Sequence, residues 1–400
     1  MLKPILWPVL APSLLFAVGI GAILPVMVLG ALQLGSSASF AAAIVGIMGA
    51  VSLAATVPAG MLIDRLGDFR AMLVATATAV VVLGGIVAAF IWDSPASLIL
   101  YTVGLMLFAP VSDVWNLARQ AVVAEVMPPQ DLAKAMTALG GTQRVGNLVG
   151  PIVGAGLMLI FPLWSVFVLS AAGTEASAHA GDGADISKDP TLAEEVAGHP
   201  HKPPRPRLEV RWKAVVLVGI SIIALTVARS AQPVVIQLWG IDIGLRESSI
   251  SLLIAFGAGL ELVFMFLGAY IKDHLGRVAT LVACLTIFGS GFVVMVLVPS
   301  LSGMVIAVAI MAVGNGLGAG VNMTIGADLS PAIGRARFLG IWAIFSNGGK
   351  LGGPALISLV ITLVSLRFGI LFPGLFAILG AVWVLIWAKQ IGLPGRMRRG

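Results

Sequence analysis

Apolar residues in this chain gather in long runs bounded by charge, Pro or Gly. A membrane helix needs about 20 mainly apolar residues to cross about 30 Å of hydrocarbon. Runs of that length fall near 8–33, 39–63, 72–92, 97–124 and 136–160 in the first half, and near 214–238, 248–271, 279–299, 302–328, 338–363 and 368–389 in the second. A twelfth run opens after Pro162 but gives way at Gly173 to Thr174-Glu175-Ala-Ser-Ala-His179, about half a membrane later at 1.5 Å per residue. We expect a short, partly polar sixth helix there; the other reading is a truncated helix and an abnormal join between halves. Trp7, Trp92, Trp164 and Trp212 fall near span ends, where interfacial anchors stand.

The pattern predicts an all-α membrane protein of two pseudo-symmetric six-helix bundles, about twelve transmembrane helices in all. The bundles are 1–172 and 214–400. The stretch 173–213 between them is rich in Gly, Pro, His and charge and reads as a cytoplasmic linker that cannot bury a core. Lys3, Arg65, Arg70, Lys134, the cluster from Lys188 to Lys213, Lys272, Arg277, Arg335, Arg337, Lys389 and the Arg396, Arg398, Arg399 tail all fall on one side of an alternating topology; only Arg246 and Arg367 fall opposite. Because Lys and Arg stay on the cytoplasmic side, both termini are expected there, in a cell (inner) membrane. The start flows into an apolar stretch too long for a signal-peptide core, so it is read as a retained first helix.

Composition agrees. Hydrophobic residues make up 59% of the 400, charged residues 10%, and the mean hydropathy is +1.05, outside the balance of soluble domains. The net charge of +6 lies in short clusters between apolar runs rather than on one basic face, which argues against nucleic acid. The single Cys284 excludes a disulfide framework, His199 and His201 read as solvated linker, and no metal or cofactor is called for. No phosphate-loop motif and no His-Glu-x-x-His pair is present, so neither ATP-driven transport nor an intramembrane enzyme is indicated.

The halves repeat their punctuation. Asp64-Arg65-Leu66-Gly67 matches Asp273-His274-Leu275-Gly276, 209 positions on; Glu125 to Pro128 matches Asp328 to Pro331, 203 on; Gly146-x-x-x-Gly150-Pro151 matches Gly349-x-x-x-Gly353-Pro354, also 203 on. At these residues the sequence resembles the major facilitator superfamily, whose G-x-L-x-D-R-x-G-R loop is approached by Gly60-Met-Leu-Ile-Asp64-Arg65-Leu-Gly67-Asp-Phe-Arg70. The resemblance spans the chain and implies the major facilitator fold, with a cytoplasmic gate at Gly60, Asp64, Arg65, Gly67 and Arg70 and, in the second copy, Asp273, Gly276 and Arg277. In that gate Asp64 would meet the positive amino end of a helix, and the degraded second copy would form the weaker latch. Gly146, Gly150, Pro151 and Gly154 resemble the G-x-x-x-G-P-x-x-G signature of that superfamily's antiporters; the alternative is helix packing alone. The resemblance to the proton-coupled drug exporters is partial, since their helix-four Arg is replaced by Leu100 and helix one has no acid.

Ionisable residues inside the bilayer are functional candidates by default. They are Asp113 and Arg119 with Asn116 between them on helix four, Arg144 on helix five, Arg229 on helix seven, Glu261 on helix eight and Lys350 on helix eleven. These are expected to line a proton-coupling and substrate cavity, with Asp113 and Glu261 alternating between protonated and charged forms. The alternatives are a fixed Asp113–Arg119 pair, or Arg119 and Arg144 joining the gate. The function expected is secondary active, proton-coupled export (efflux by an antiporter) of small amphipathic or lipophilic compounds across the plasma membrane, by a monomer working through alternating access. Uptake of a sugar or other metabolite by symport, and a non-transporting membrane sensor, are the competing readings.

Overall fold

The computed structural model describes residues 9–92, 94–126, 129–181, 210–331 and 335–393. The described residues form helices and short turns. Helix α1 is broken: α1a (Ala11–Ile23) passes through a single 3-10 turn at Leu24–Val26 into α1b (Met27–Gln33). Pro25, which lacks an N–H, stands at that break. Then follow α2 (Ala38–Leu66), α3 (Asp68–Ile91), α4 (Ser97–Val126), α5 (Pro129–Met158) and α6 (Ser165–Gly181). The second half holds α7 (Trp212–Asp242), α8 (Glu247–Leu275), α9 (Arg277–Leu297), the broken α10a (Leu301–Leu317) and α10b (Val321–Leu329), α11 (Arg335–Leu363) and α12 (Leu366–Ile391).

Among the described residues, nine of these segments are long and apolar enough to cross a bilayer. The other three are α5, α6 and α11. Two of them carry the polar residues of the interface between halves, and α6 is 17 residues long, about 25 Å at 1.5 Å per residue. It continues through Thr174 and Glu175 as expected of a short, partly polar helix. Ser170, Thr174 and Ser177 are buried, and the hydroxyls of Thr174 and Ser177 bond back to the carbonyls of Ser170 and Thr174, so a helix against protein tolerates them.

The duplication seen in the sequence is present in the packing. Within the first half α1 packs on α5 and α6, α3 on α4 and α6, and α2 on α4; within the second, α7 packs on α11 and α12, α9 on α10 and α12, and α8 on α10. Glycines make the closest of these approaches possible. A Cβ on Gly146 or Gly150 would overlap the α1a backbone at Ala17 and Ala22, and one on Gly349 or Gly353 would overlap Thr226 and Ser230 of α7.

The halves meet through α2 on α11 and α5 on α8. The closest of these approaches fall in the part of the helices remote from the linker. Gly46 of α2 approaches Ala355 of α11, and the Ser251 hydroxyl of α8 donates to the Pro151 carbonyl of α5 at 2.8 Å. Gln237 of α7, 1% exposed, spans the break in α1: it accepts from the Val28 N–H at 3.0 Å and donates to the Leu24 carbonyl at 3.1 Å. Toward the linker face, Gly60, Gly140, Gly141 and Gly348 have open space beside them. The hydrogen bonds that join the halves are therefore gathered away from the linker.

Candidate functional site

Helix α4 turns Asp113 and Arg119 to different sides. Six residues at 100° each separate them by about 240° around the helix, so the fixed pair considered from the sequence does not form. Asp113 accepts from the Ser52 hydroxyl of α2 at 2.5 Å, within the first half, and makes no ion pair among the described residues. Asn116, one turn on, accepts from the Gln143 amide of α5 at 2.8 Å. Arg119 points into the first bundle instead and is 4% exposed. Its guanidinium lies 4.5 Å from the Phe16 ring centroid and 4.2 Å from that of Trp115, while its Nε and Nη2 have no hydrogen-bond partner. Aromatic faces stabilise such a cation in the absence of a counter-ion. Its place is the bundle core, neither the gate nor the space between halves.

A second charged group sits where α5, α7, α8 and α10 converge. Arg144 Nη1 of α5 is 3.9 Å from Glu261 Oε1 of α8, and Glu261 Oε2 accepts from the Asn315 amide of α10a at 2.6 Å. Arg229 of α7 donates through Nη2 to the carbonyls of Gly318 at 3.1 Å and Asn315 at 3.4 Å. Those carbonyls lie where α10 breaks at Gly318-Ala319-Gly320, with Gly320 left-handed at φ +73°. A cation there meets the negative end of α10a. Arg144, Arg229 and Glu261 line a cavity of about 270 Å³ together with Leu24, Ile236 and Ile254.

The loop motif differs between its two copies. Gly67 (φ +78°) and Gly276 (φ +85°) end α2 and α8 in the same way, in a conformation that favours glycine. Asp64 occupies the last turn of α2, not the amino end of a helix, and Asp64, Arg65 and Arg70 are exposed without an ion pair among the described residues. In the second copy Arg277 Nε pairs with Asp328 Oδ2 at 3.0 Å. Arg277 follows Gly276 directly, whereas Asp68 holds that place in the first copy, and the relative strength of the two latches falls on residues outside those described. The side chains of Asp273 and Glu125 lie outside the described residues.

Gly146 and Gly150 serve the tight α1–α5 contact described above. Gly154 has only ordinary contact with Ala22, and the Pro151 carbonyl takes the Ser251 hydrogen bond across the interface. Two residues were missed from the sequence, Ser52 and Gln237. Ser52 could have been found, since it stands 209 positions before Glu261, the spacing that relates Asp64 to Asp273. Gln237 gave no signal beyond a polar residue near a span end.

The model of the Major Facilitator Superfamily matches residues 217–395. That family is one of transporters, not enzymes. No curated protein matches the sequence. Among solved structures, a POT family transporter in complex with 5-aminolevulinic acid is similar at TM-score 0.74 and 13% identity, over 96% of each chain. A peptide transporter POT in complex with sulfate reaches 0.76 and 14%, over 96% of this chain and 94% of that one. A bacterial homologue of the human lysosomal transporter Spinster, inward-facing and occupied, reaches 0.70 and 14%, over 95% and 96%. Resemblance to drug exporters in particular has no counterpart among these. The chain is a multi-pass membrane protein with the major facilitator fold, and its second half carries the sequence signature of that superfamily.

Proposed function

We propose that the protein is a proton-coupled secondary active transporter that exports small amphipathic compounds by alternating access between its two halves. The observation that carries this reading is the pairing of Glu261 with Arg144 of the opposite half, beside a second mid-span acid, Asp113, held by Ser52 within the first half. A carboxyl whose cation belongs to the opposite half feels a different field whenever the halves rock, and that difference couples proton binding to conformation. Hydrogen bonds between the halves on the face away from the linker, with the basic loops on the other face, support an inward-open state with both termini cytoplasmic in the cell membrane.

Uptake of a polar metabolite is the second reading. It is favoured by the charged lining of the cavity, and by the likeness to a POT family transporter holding 5-aminolevulinic acid. Purified protein in liposomes with an imposed pH gradient separates the two. Efflux of an amphipathic compound that dissipates the gradient, and is lost in Asp113→Asn, supports the exporter; accumulation of a metabolite with the gradient supports uptake. Transport at the wild-type rate in Asp113→Asn rejects the coupling role of this acid.

A further inference from the structure

The cavity between the halves has more positive charge than its own acid can meet. Arg144 and Arg229 line it together with a single carboxylate, Glu261. That carboxylate is already engaged by Asn315 at 2.6 Å, and its 3.9 Å separation from Arg144 is beyond hydrogen-bond length. Arg144 donates no hydrogen bond among the described residues. Arg229 uses only Nη2 for the α10 carbonyls; its Nε is shielded from solvent and has no partner. Apart from Asn147 and Gln232, the rest of the lining is apolar, with Leu24, Ile236, Ile254 and Val308 among it.

We propose that the cavity binds a soluble amphipathic monoanion, with a carboxylate, sulfonate or phosphate-type head between Arg144 and Arg229 and an apolar body against the Leu24, Ile236 and Ile254 wall. The head supplies Arg144 with the acceptor it lacks at hydrogen-bond length and sets a negative charge beside Arg229, and charge-assisted bonds of this kind are the strong ones. Glu261 competes for Arg144, so ligand and carboxylate exchange a cation between them. A cationic ligand would face two guanidinia and one occupied acid, which disfavours it. This rests on the reading of the cavity as a substrate site, but its test requires neither transport nor coupling.

The experiment is equilibrium binding to the full-length protein in phosphatidylcholine nanodiscs. Three probes with one aromatic body are compared: naphthalene-1-sulfonate, naphthalene-1-methanol and (1-naphthylmethyl)trimethylammonium. The sulfonate should bind about tenfold or more tighter than either of the others. Arg144→Gln, whose only described polar partner is Glu261, should remove that advantage and leave the neutral probe unchanged. Glu261→Gln should raise sulfonate affinity severalfold, a direction that misfolding does not produce. Equal or tighter binding of the cation, or an unchanged sulfonate affinity in Arg144→Gln, overturns the proposal. So does loss of sulfonate binding when phosphatidylglycerol is added to the nanodisc, which would assign the site to an anionic lipid. Anion binding without proton coupling would sink the transport mechanism proposed above and leave this inference standing; coupled transport of cations alone would do the reverse.

Discussion

Replacing Gln237 by leucine would unlatch the interface on the face away from the linker. The side chain is buried and bridges two halves that share few other polar contacts among the described residues: it accepts from Val28 and donates to Leu24 on either side of the α1 break. Leucine is close to glutamine in volume, so packing changes little while two cross-half hydrogen bonds disappear. At about 0.5–1.5 kcal/mol net for each bond, the closed arrangement loses about 1–3 kcal/mol. In an arrangement parted on that face, water can reach the same backbone groups, so its free energy is hardly altered. The ratio of the two arrangements should move by about 5- to 150-fold. Cys284 is the single cysteine and is buried, so spin labels at Gln33→Cys and Asp242→Cys, exposed ends of α1b and α7, report the separation by double electron–electron resonance. Gln237→Leu should enlarge the long-distance population. Tyr101→Phe is the control: its hydroxyl donates to the Met27 carbonyl at 2.8 Å within one half, so it should lower stability without moving the distances. An unchanged distance distribution in Gln237→Leu, or an equal shift in Tyr101→Phe, refutes the latch.

Three further outcomes follow from the packing and the charges. Gly150→Leu forces a side chain into the α1a backbone and should cost about 1–3 kcal/mol or more, read as a lower thermal midpoint in detergent, whereas Gly156→Ala, with nothing beside it, should be neutral or slightly stabilising. Arg277→Gln and Asp328→Asn each remove a partly exposed pair worth about 0.2–1 kcal/mol; a double-mutant cycle on the thermal midpoint should show their coupling, and additive losses would exclude it. Lys350→Gln and Asp113→Asn should each abolish coupled transport in liposomes, with the double variant close to wild type in thermal stability yet still inactive; recovery of transport in the double variant would reduce the pair to a structural role.

Much of the fold was legible because the bilayer leaves few options: a backbone in hydrocarbon must satisfy its own hydrogen bonds, so a long apolar run is a helix. The breaks in α1 and α10 were not legible. Pro25 sits inside an apolar run, and Pro58, Pro110 and Pro151 sit inside helices that continue through them, so proline alone does not mark where a span divides. The charged residues were identified, but their partners were not. Spacing by three along α4 suggested that Asp113, Asn116 and Arg119 form one face; over six residues the helix has turned far enough to put Asp113 at the interface and Arg119 against Phe16 and Trp115. The Arg277–Asp328 pair was likewise not legible, since the residue after the glycine differs between the loop copies, Asp68 in one and Arg277 in the other.

Duplication ties the two charged clusters together. Ser52 on α2 and Glu261 on α8 are 209 positions apart, while Ser112, beside Asp113 on α4, and Asn315 on α10a are 203 apart. The two hydrogen bonds, Ser52 to Asp113 and Asn315 to Glu261, therefore join equivalent helices in the two halves, with the acid moved from one member of the pair to the other. Glu261 then meets a cation from the opposite half, Arg144 on α5, and α11, the equivalent of α5, carries Lys350 on the half opposite Asp113. Charges arranged this way oppose sliding of one half past the other, since relief at one cluster is not compensated at the other. They resist rocking far less, because Asp113, Arg144, Glu261 and Lys350 all lie near the middle of their helices. On the transport reading the clusters are the axis about which the two faces open in turn, and the acids sit where the motion changes their surroundings while keeping their partners within reach.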